Sequence, residues 1–239
     1  MAEHPDVQRF RKALESASSD ELLADGAVWN GAANGDDGPA VAVKDVYADG
    51  LHTVAWLERS ANGRTLDQAV VFHMADDGKA TEVWSMPTDA EIAGALESGG
   101  EAPVHRNLPT FETAEQTRGR NTFEPQDIAN IEAFLREDVH WRTSSEWGEG
   151  PSNRDECIAQ FQGFLYGTGG TLHMEIFATF ADDAHALSFV ELSATHPQHP
   201  DRHMDFKEVN LFHLDENGKC FEFWGIQDDP DEANSFWAE

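Results

Sequence analysis

The chain has 239 residues, 40% of them hydrophobic, with 7 Trp and 15 Phe, enough for one large or two ordinary packed domains and too apolar for wholesale disorder. Asp and Glu total 45 against 16 Lys and Arg, a net charge of −29. Such a surface repels nucleic acid and anionic membrane, so neither is an expected partner.

The acids are scattered, as in Asp36-Asp37, Asp182-Asp183 and Asp228-Asp229, and do not form a tail. The lysines are Lys12, Lys44, Lys79, Lys207 and Lys219. Acid-rich, lysine-poor surfaces occur on salt-adapted proteins and on acidic proteins elsewhere, and both origins stay open. No apolar run approaches the roughly 20 residues of a membrane helix, and MAEHPDVQRF lacks a basic-then-apolar leader, so a cytoplasmic chain is expected. Cys157 and Cys220 are far apart and form no CxxC, which suits reduced, structural thiols.

In chain order, VQRFRKALESA (7–17) reads as a helix and DGAVWN (25–30) as a strand carrying one Trp. YADGLHTVAWLE (47–58) follows, then FHMADDGKATEVW (72–84), in which Asp77-Gly78 separates two alternating runs, a hairpin signal. Gly and Pro mark a linker over 97–110, SGGEAPVHRNLPT plus its preceding Glu. Beyond it the series begins again. DIANIEAFLRED (127–138) is helical, with apolar positions at 128, 131, 134 and 135, and EDVHWR (137–142) is a second Trp strand. FADDAHALSFVE (180–191) repeats the turn, the His and the closing Glu of 47–58. FHLDENGKCFEFW (212–224) repeats 72–84 at Phe72/Phe212, His73/His213, Gly78/Gly218, Lys79/Lys219, Glu82/Glu222 and Trp84/Trp224.

The offset between copies is 112 at the Trp strand (137 − 25) and 133 at the next hairpin (180 − 47). The jump falls on SNRDECIAQFQGFLYGTGG (152–170), with a capping Ser or Asn, a helical body and a Gly-rich stop, where the first copy has only AANGDDGPA. The second copy therefore has a helix that the first lacks. Two-residue turns at Asp77-Gly78 and Asn217-Gly218 would pair Glu216 with Lys219, Leu214 with Phe221, His213 with Glu222 and His73 with Glu82. Phe212, Phe223, Asn210 and Gly225 then share one face, and His213, Glu222, Leu211 and Trp224 the other. Both faces are largely apolar and should be covered. Each His/Glu pair reads as a cross-strand hydrogen bond in preference to an acid–base dyad.

Helix, Trp strand, a helix ending in TGG and four long strands closing on DGKxxExW together resemble SnoaL-like proteins, of the superfamily of nuclear transport factor 2 and ketosteroid isomerase. The resemblance is carried by EDVHWR, GTGGTLHMEIFATFADDAHAL, MDFKEVNLFHL and NGKCFEFW in the second copy, and by the helix and last four strands in the first. It implies an α+β fold of two tandem cone-shaped NTF2-like domains. In each, a curved mixed or antiparallel sheet wraps on helices around an apolar pocket. Family members dimerise through the outer faces of their sheets, so the resemblance further implies one chain acting as an internal pseudo-dimer, packed sheet to sheet, and a monomer in solution. Residues 1–96 would form a degenerate unit and 111–239 a complete one.

The isomerase Tyr position falls on Phe10 and about Gly119, its base on Gly31 and Thr143, and its oxyanion Asp on Val70 and Asn210, so that chemistry is not expected. The cyclase carboxylate after the last Trp is replaced by Ser85 and Gly225. The expected function is binding of a small, mostly apolar molecule in the second unit by Trp141, Thr143, Tyr166, Asn210, Phe212 and Phe223, with room left by Gly225. The alternatives are a lyase, isomerase or cyclase using Glu208 or His173 with Asn210, and a non-catalytic interaction scaffold. Glu208 is expected at the exposed start of its strand, and a buried site that would raise its pKa is the alternative. His196, His199, His203 and Asp205 are good metal ligands, but Pro197 and Pro200 interrupt them. The segment reads as a proline-rich loop, and neither metal nor cofactor is expected.

A net charge of −29 predicts folding that strengthens with salt. The screening length falls from about 30 Å at 0.01 M to about 3 Å at 1 M. The melting temperature should therefore rise between those concentrations, and a flat or falling profile would contradict it.

Overall fold

The structure, a computed structural model, describes residues 5–16, 19–30, 40–101, 104–120, 123–142 and 150–237. The chain divides into two compact units, Met1–Val104 and His105–Glu239. The first holds helix α1 (Pro5–Glu15), a 3-10 turn (Ser19–Leu22), strands β1 (Leu23–Asn30), β2 (Ala40–Ala48), β3 (His52–Ala61), β4 (Arg64–Met74) and β5 (Ala80–Met86), and helix α2 (Asp89–Ser98). The second holds α3 (Leu108–Arg118), α4 (Pro125–Phe134), β6 (Leu135–Arg142), α5 (Arg154–Gly167), β7 (His173–Ala181), β8 (His185–Thr195), β9 (His203–Leu214), β10 (Cys220–Gln227) and α6 (Pro230–Trp237).

Each unit has one five-stranded sheet, in the orders β1-β5-β4-β3-β2 and β6-β10-β9-β8-β7. The Trp strand of each pairs in parallel with the last strand, and every other pair is antiparallel. The same topology is thus written twice, and the described residues of the first unit contain no counterpart of α5.

Local chemistry repeats with the topology. Asp49 Oδ1 accepts hydrogen bonds from the Leu51 and His52 amides, and Asp182 Oδ1 accepts from those of Ala184 and His185. These are Asp-anchored turns that set the β2–β3 and β7–β8 hairpins. His52 then pairs with His73, rings 5.2 Å apart and edge to face, as His185 pairs with His213 at 5.0 Å. Burial alone would raise the pKa of Asp49, but its bonds to the His52 side chain and to the His52 and Leu51 amides hold it below 3.8.

The two repeated hairpins differ from the two-residue turns expected. Gly218 N donates to Asp215 O at 2.9 Å and Asp215 N to Lys219 O at 2.9 Å. Gly78 N and Ala75 N make the equivalent bonds. Gly78 and Gly218 have φ of 75° and 73°, a left-handed position that glycine adopts without penalty. Neither Asp77 nor Asn217 has positive φ, so these are longer loops closed by a glycine bulge. Leu214 consequently pairs with Cys220, not Phe221, and a second irregularity restores Glu222 opposite His213 and Glu82 opposite His73.

α5 starts at the Asn153 cap, whose side chain accepts from Glu156 N, and ends before the Gly pair. α4 stops at Phe134, where Leu135 turns extended and pairs with Cys220, four residues short of the periodicity read over 127–138. The 97–110 stretch is helical at both ends, with α2 reaching Ser98 and α3 starting at Leu108. Val7, Phe10 and Ala13 of α1 fill the first sheet against Val70, Phe72 and Val83. In the second unit Phe111, Phe134 and Phe161 lie with Phe212 and Phe223 in one core.

Alanine at Asp49 or Asp182 leaves two turn amides without their acceptor. Each substitution should lower stability by about 1–2 kcal/mol in urea unfolding, and the Asn variants by less. Equal losses for Ala and Asn would show that the turn bonds are not the cause.

Candidate functional site

The site is built on the last two strands of the second unit. Glu208 and Asn210 leave β9 on the same face as Phe212, and Gly225 and Phe223 leave β10 on that face, with Gly225 opposite Asn210 and Phe223 opposite Phe212. Phe212 and Phe223 stack at 5.1 Å, and Phe111 and Phe134 meet Phe212 at 5.3 and 5.4 Å. That end of the sheet is solid core. Toward Glu208 the packing opens into a cavity of about 110 Å³.

Its apolar wall includes Trp141 of β6, Phe161 and Phe164 of α5, Met174 of β7, Phe206 of β9 and Trp237 of α6. Trp141 links wall to core, stacked on Phe223 at 5.0 Å and packed on Phe161 at 5.2 Å. Polar groups on the wall are Arg118, Arg142, Glu208 and Gln227.

Glu208 is 7% exposed, so it does not stand at an exposed strand start as the acidic composition led us to expect. The space it occupies exists because Gly225 has no side chain: a Cβ there would lie 2.9 Å from Glu208 Oε2. That room therefore accommodates the Glu208 carboxyl itself. Gln227 Nε2 donates to Glu208 Oε2 at 3.0 Å. Burial pushes the Glu208 pKa up. The Arg118 charge, the Gln227 hydrogen bond and Asn210 pull it down without cancelling the rise, and Glu115 adds to it. A carboxyl of this kind holds its proton to higher pH and can both give and take one.

Of the residues singled out from the sequence, Trp141 and Glu208 are on the wall. Asn210 is buried behind it, its Nδ2 3.4 Å from Ser188 Oγ, and Phe212 and Phe223 belong to the core. Tyr166 is 74% exposed on α5, on the side of the helix away from Phe161. His173 is exposed on β7, in a shallow groove with Glu112 and Glu175. Thr143, like Gly31, lies outside the described residues. The His/Glu pairs are shared with other partners. Glu82 Oε1 accepts from Asn30 Nδ2 at 2.9 Å, and Glu222 Oε1 accepts from Arg142 Nε at 2.5 Å, with His213 Nδ1 3.9 Å from Glu222 Oε2.

Arg118, Phe161, Phe164 and Trp237 were not singled out. Arg118 ends a helix, LPTFETAEQTR, with too little apolar periodicity to be read. The aromatic run FQGFLYG in α5 was the available signal for Phe161 and Phe164.

Residues 117–223 match the family model described as SnoaL-like domain. The second unit carries a SnoaL-like domain. Comparison with curated proteins gave no match. Among solved structures, the chain is similar to Bal32a from a soil-derived mobile gene cassette, at 19% identity over 54% of this chain and 96% of that one, TM-score 0.44. An NTF2-like protein from Burkholderia pseudomallei K96243 is 17% identical over 54% and 98%, TM-score 0.40. A protein with a cystatin-like fold from Xanthomonas campestris is 16% identical over 54% and 98%, TM-score 0.44.

In the SnoaL-like domain, the raised pKa of Glu208 makes a stability prediction. Between the ordinary value of 4.5 and the higher folded value, the folded state binds more protons than the unfolded one, so stability falls as pH rises through that window. Glu208→Gln removes this loss. Its unfolding free energy relative to the wild type should climb as pH rises above 4.5 and then level off. A difference that is constant across pH would contradict the assignment.

Proposed function

We propose that the SnoaL-like domain binds a small, mostly apolar molecule in the cavity beside Glu208 and moves a proton to or from it through that carboxyl. The observation that carries this reading is the position of Glu208: a buried acid on the wall of an otherwise largely apolar cavity. Structural carboxylates are rarely buried without a full set of partners, whereas a general base or acid needs desolvation to bring its pKa toward working pH. Gln227 fixes one carboxyl oxygen, and Asn210 behind it acts as a positioning residue. Trp141, Phe161 and Phe164 supply flat apolar area for the body of the ligand.

The reaction class that fits is removal of a proton beside a carbonyl followed by its return, as in an isomerase, lyase or cyclase. Acetophenone tests it without knowledge of the natural ligand. In D2O the protein should accelerate exchange of the acetophenone methyl protons, with a rate that rises with pH as Glu208 ionises. Glu208→Gln should slow that exchange by about 10²-fold or more. Saturable binding without accelerated exchange would leave a binding protein and discard proton transfer. Exchange unaffected by Glu208→Gln would remove Glu208 from the role.

A further inference from the structure

Arg118 is a second charged group on the same wall. Its side chain is 13% exposed. A guanidinium has five N–H donors. Here Nη2 donates to Glu115 Oε2 at 3.1 Å and stands 3.9 Å from Met174 Sδ, and the group lies 5.5 Å from the centre of the Phe161 ring. Nε is buried and, among the described residues, has no hydrogen-bond partner. A buried cationic donor left unmade is costly, and one contact to Glu115 does not use the fork that suits a planar oxyanion. Burial raises the Glu208 pKa, and the Arg118 charge opposes that rise without cancelling it.

With the cavity taken as a small-molecule site, as proposed above, we infer that its ligand is a small apolar monoanion whose carboxylate or enolate oxygen is held by Arg118. The apolar body lies against Trp141, Phe161 and Phe164, and the anionic oxygen meets the Arg118 fork, the one buried guanidinium of that wall among the described residues. Arg142, the other arginine of the wall, has a side chain 54% exposed and is engaged by Glu222. It stays in solvent and offers less discrimination. In proton abstraction beside a carbonyl, the same guanidinium would receive the charge that develops on oxygen as the C–H bond breaks and Glu208 takes the proton.

Benzoate and benzamide, which share a ring and differ in charge, are the probes. They would be titrated against the full chain while the methyl resonances of Met174 and Met204, both on the cavity wall, are followed. Benzoate should bind saturably and at least tenfold more tightly than benzamide. In Arg118→Met combined with Glu115→Gln, which removes the ion-pair partner of Arg118 along with it, the two should bind within about twofold of each other, with benzamide affinity kept. Arg118→Lys, which keeps charge but loses Nε, should retain part of the preference and decides the matter if the double variant does not fold. Equal binding of the two probes to the wild type, or a benzoate preference that survives in the double variant, overturns the inference while the cavity remains a small-molecule site. Binding of neither probe discards the cavity reading along with it.

Discussion

Burying a carboxyl group costs several kcal/mol unless it is protonated, paired or fully hydrogen-bonded, and the second unit buries Glu208 on a wall of aromatic and aliphatic groups. Its surroundings can be understood as terms on which that burial is tolerated. Gly225 leaves the carboxyl room, Gln227 donates to it and Arg118 supplies a positive field, while burial, the largest effect, raises its pKa against them. A larger residue at 225 would close the space, and one fewer donor would deepen the penalty. The cavity and the acid are therefore one feature, because Glu208 lines the opening that Gly225 helps to leave.

The first unit shows the same scaffold without that burden. Val70 faces Ser85 there in the register at which Asn210 faces Gly225. Val70 packs with Phe10 and Phe72 in an apolar core, and Phe10 and Phe72 meet edge to face at 4.8 Å. The Asp-anchored turns, the His pairs, the bulged glycine hairpins and the strand order are common to both units. What is shared builds a five-stranded sheet; the units differ at inward positions such as Val70 and Asn210 or Ser85 and Gly225, and in α5, which has no counterpart among the described residues of the first unit. Architecture and chemistry thus occupy separate sets of positions.

Much of the architecture was legible because it rests on local rules. The Asn217-Gly218 turn and strict alternation fix which residues share a face, and His213 opposite Glu222 follows even though the turn is longer than two residues, because a second irregularity cancels the shift. The 152–170 helix was readable from its cap and its glycines. Depth along the sheet was not. Asn210, Phe212 and Phe223 face inward as alternation requires, but whether an inward residue meets core or cavity depends on how far α3, α4 and α5 extend over the strand, which no local pattern encodes. Tyr166 fails for a related reason: α5 has aromatic residues on more than one side, and only packing selects Phe161. Glu208 looked like one more surface acid in a chain with 45 of them, since its burial comes from residues far away in sequence.

The overall charge sets a further constraint on the ligand proposed for the cavity. A protein of net charge −29 opposes the approach of any anion, so long-range steering cannot account for selection of one. That repulsion is screened beyond about 8 Å at physiological ionic strength, whereas a contact made inside a desolvated cavity is screened far less. Discrimination between an anion and its neutral analogue must then come from the last few ångströms, where Arg118 and the aromatic wall act together and the surface acids contribute little. An anion would enter slowly and be held by short-range contacts, placing its selectivity in the dissociation rate. On that proposal the buried Nε of Arg118, and not the exposed guanidinium of Arg142, is the group on which selectivity would turn.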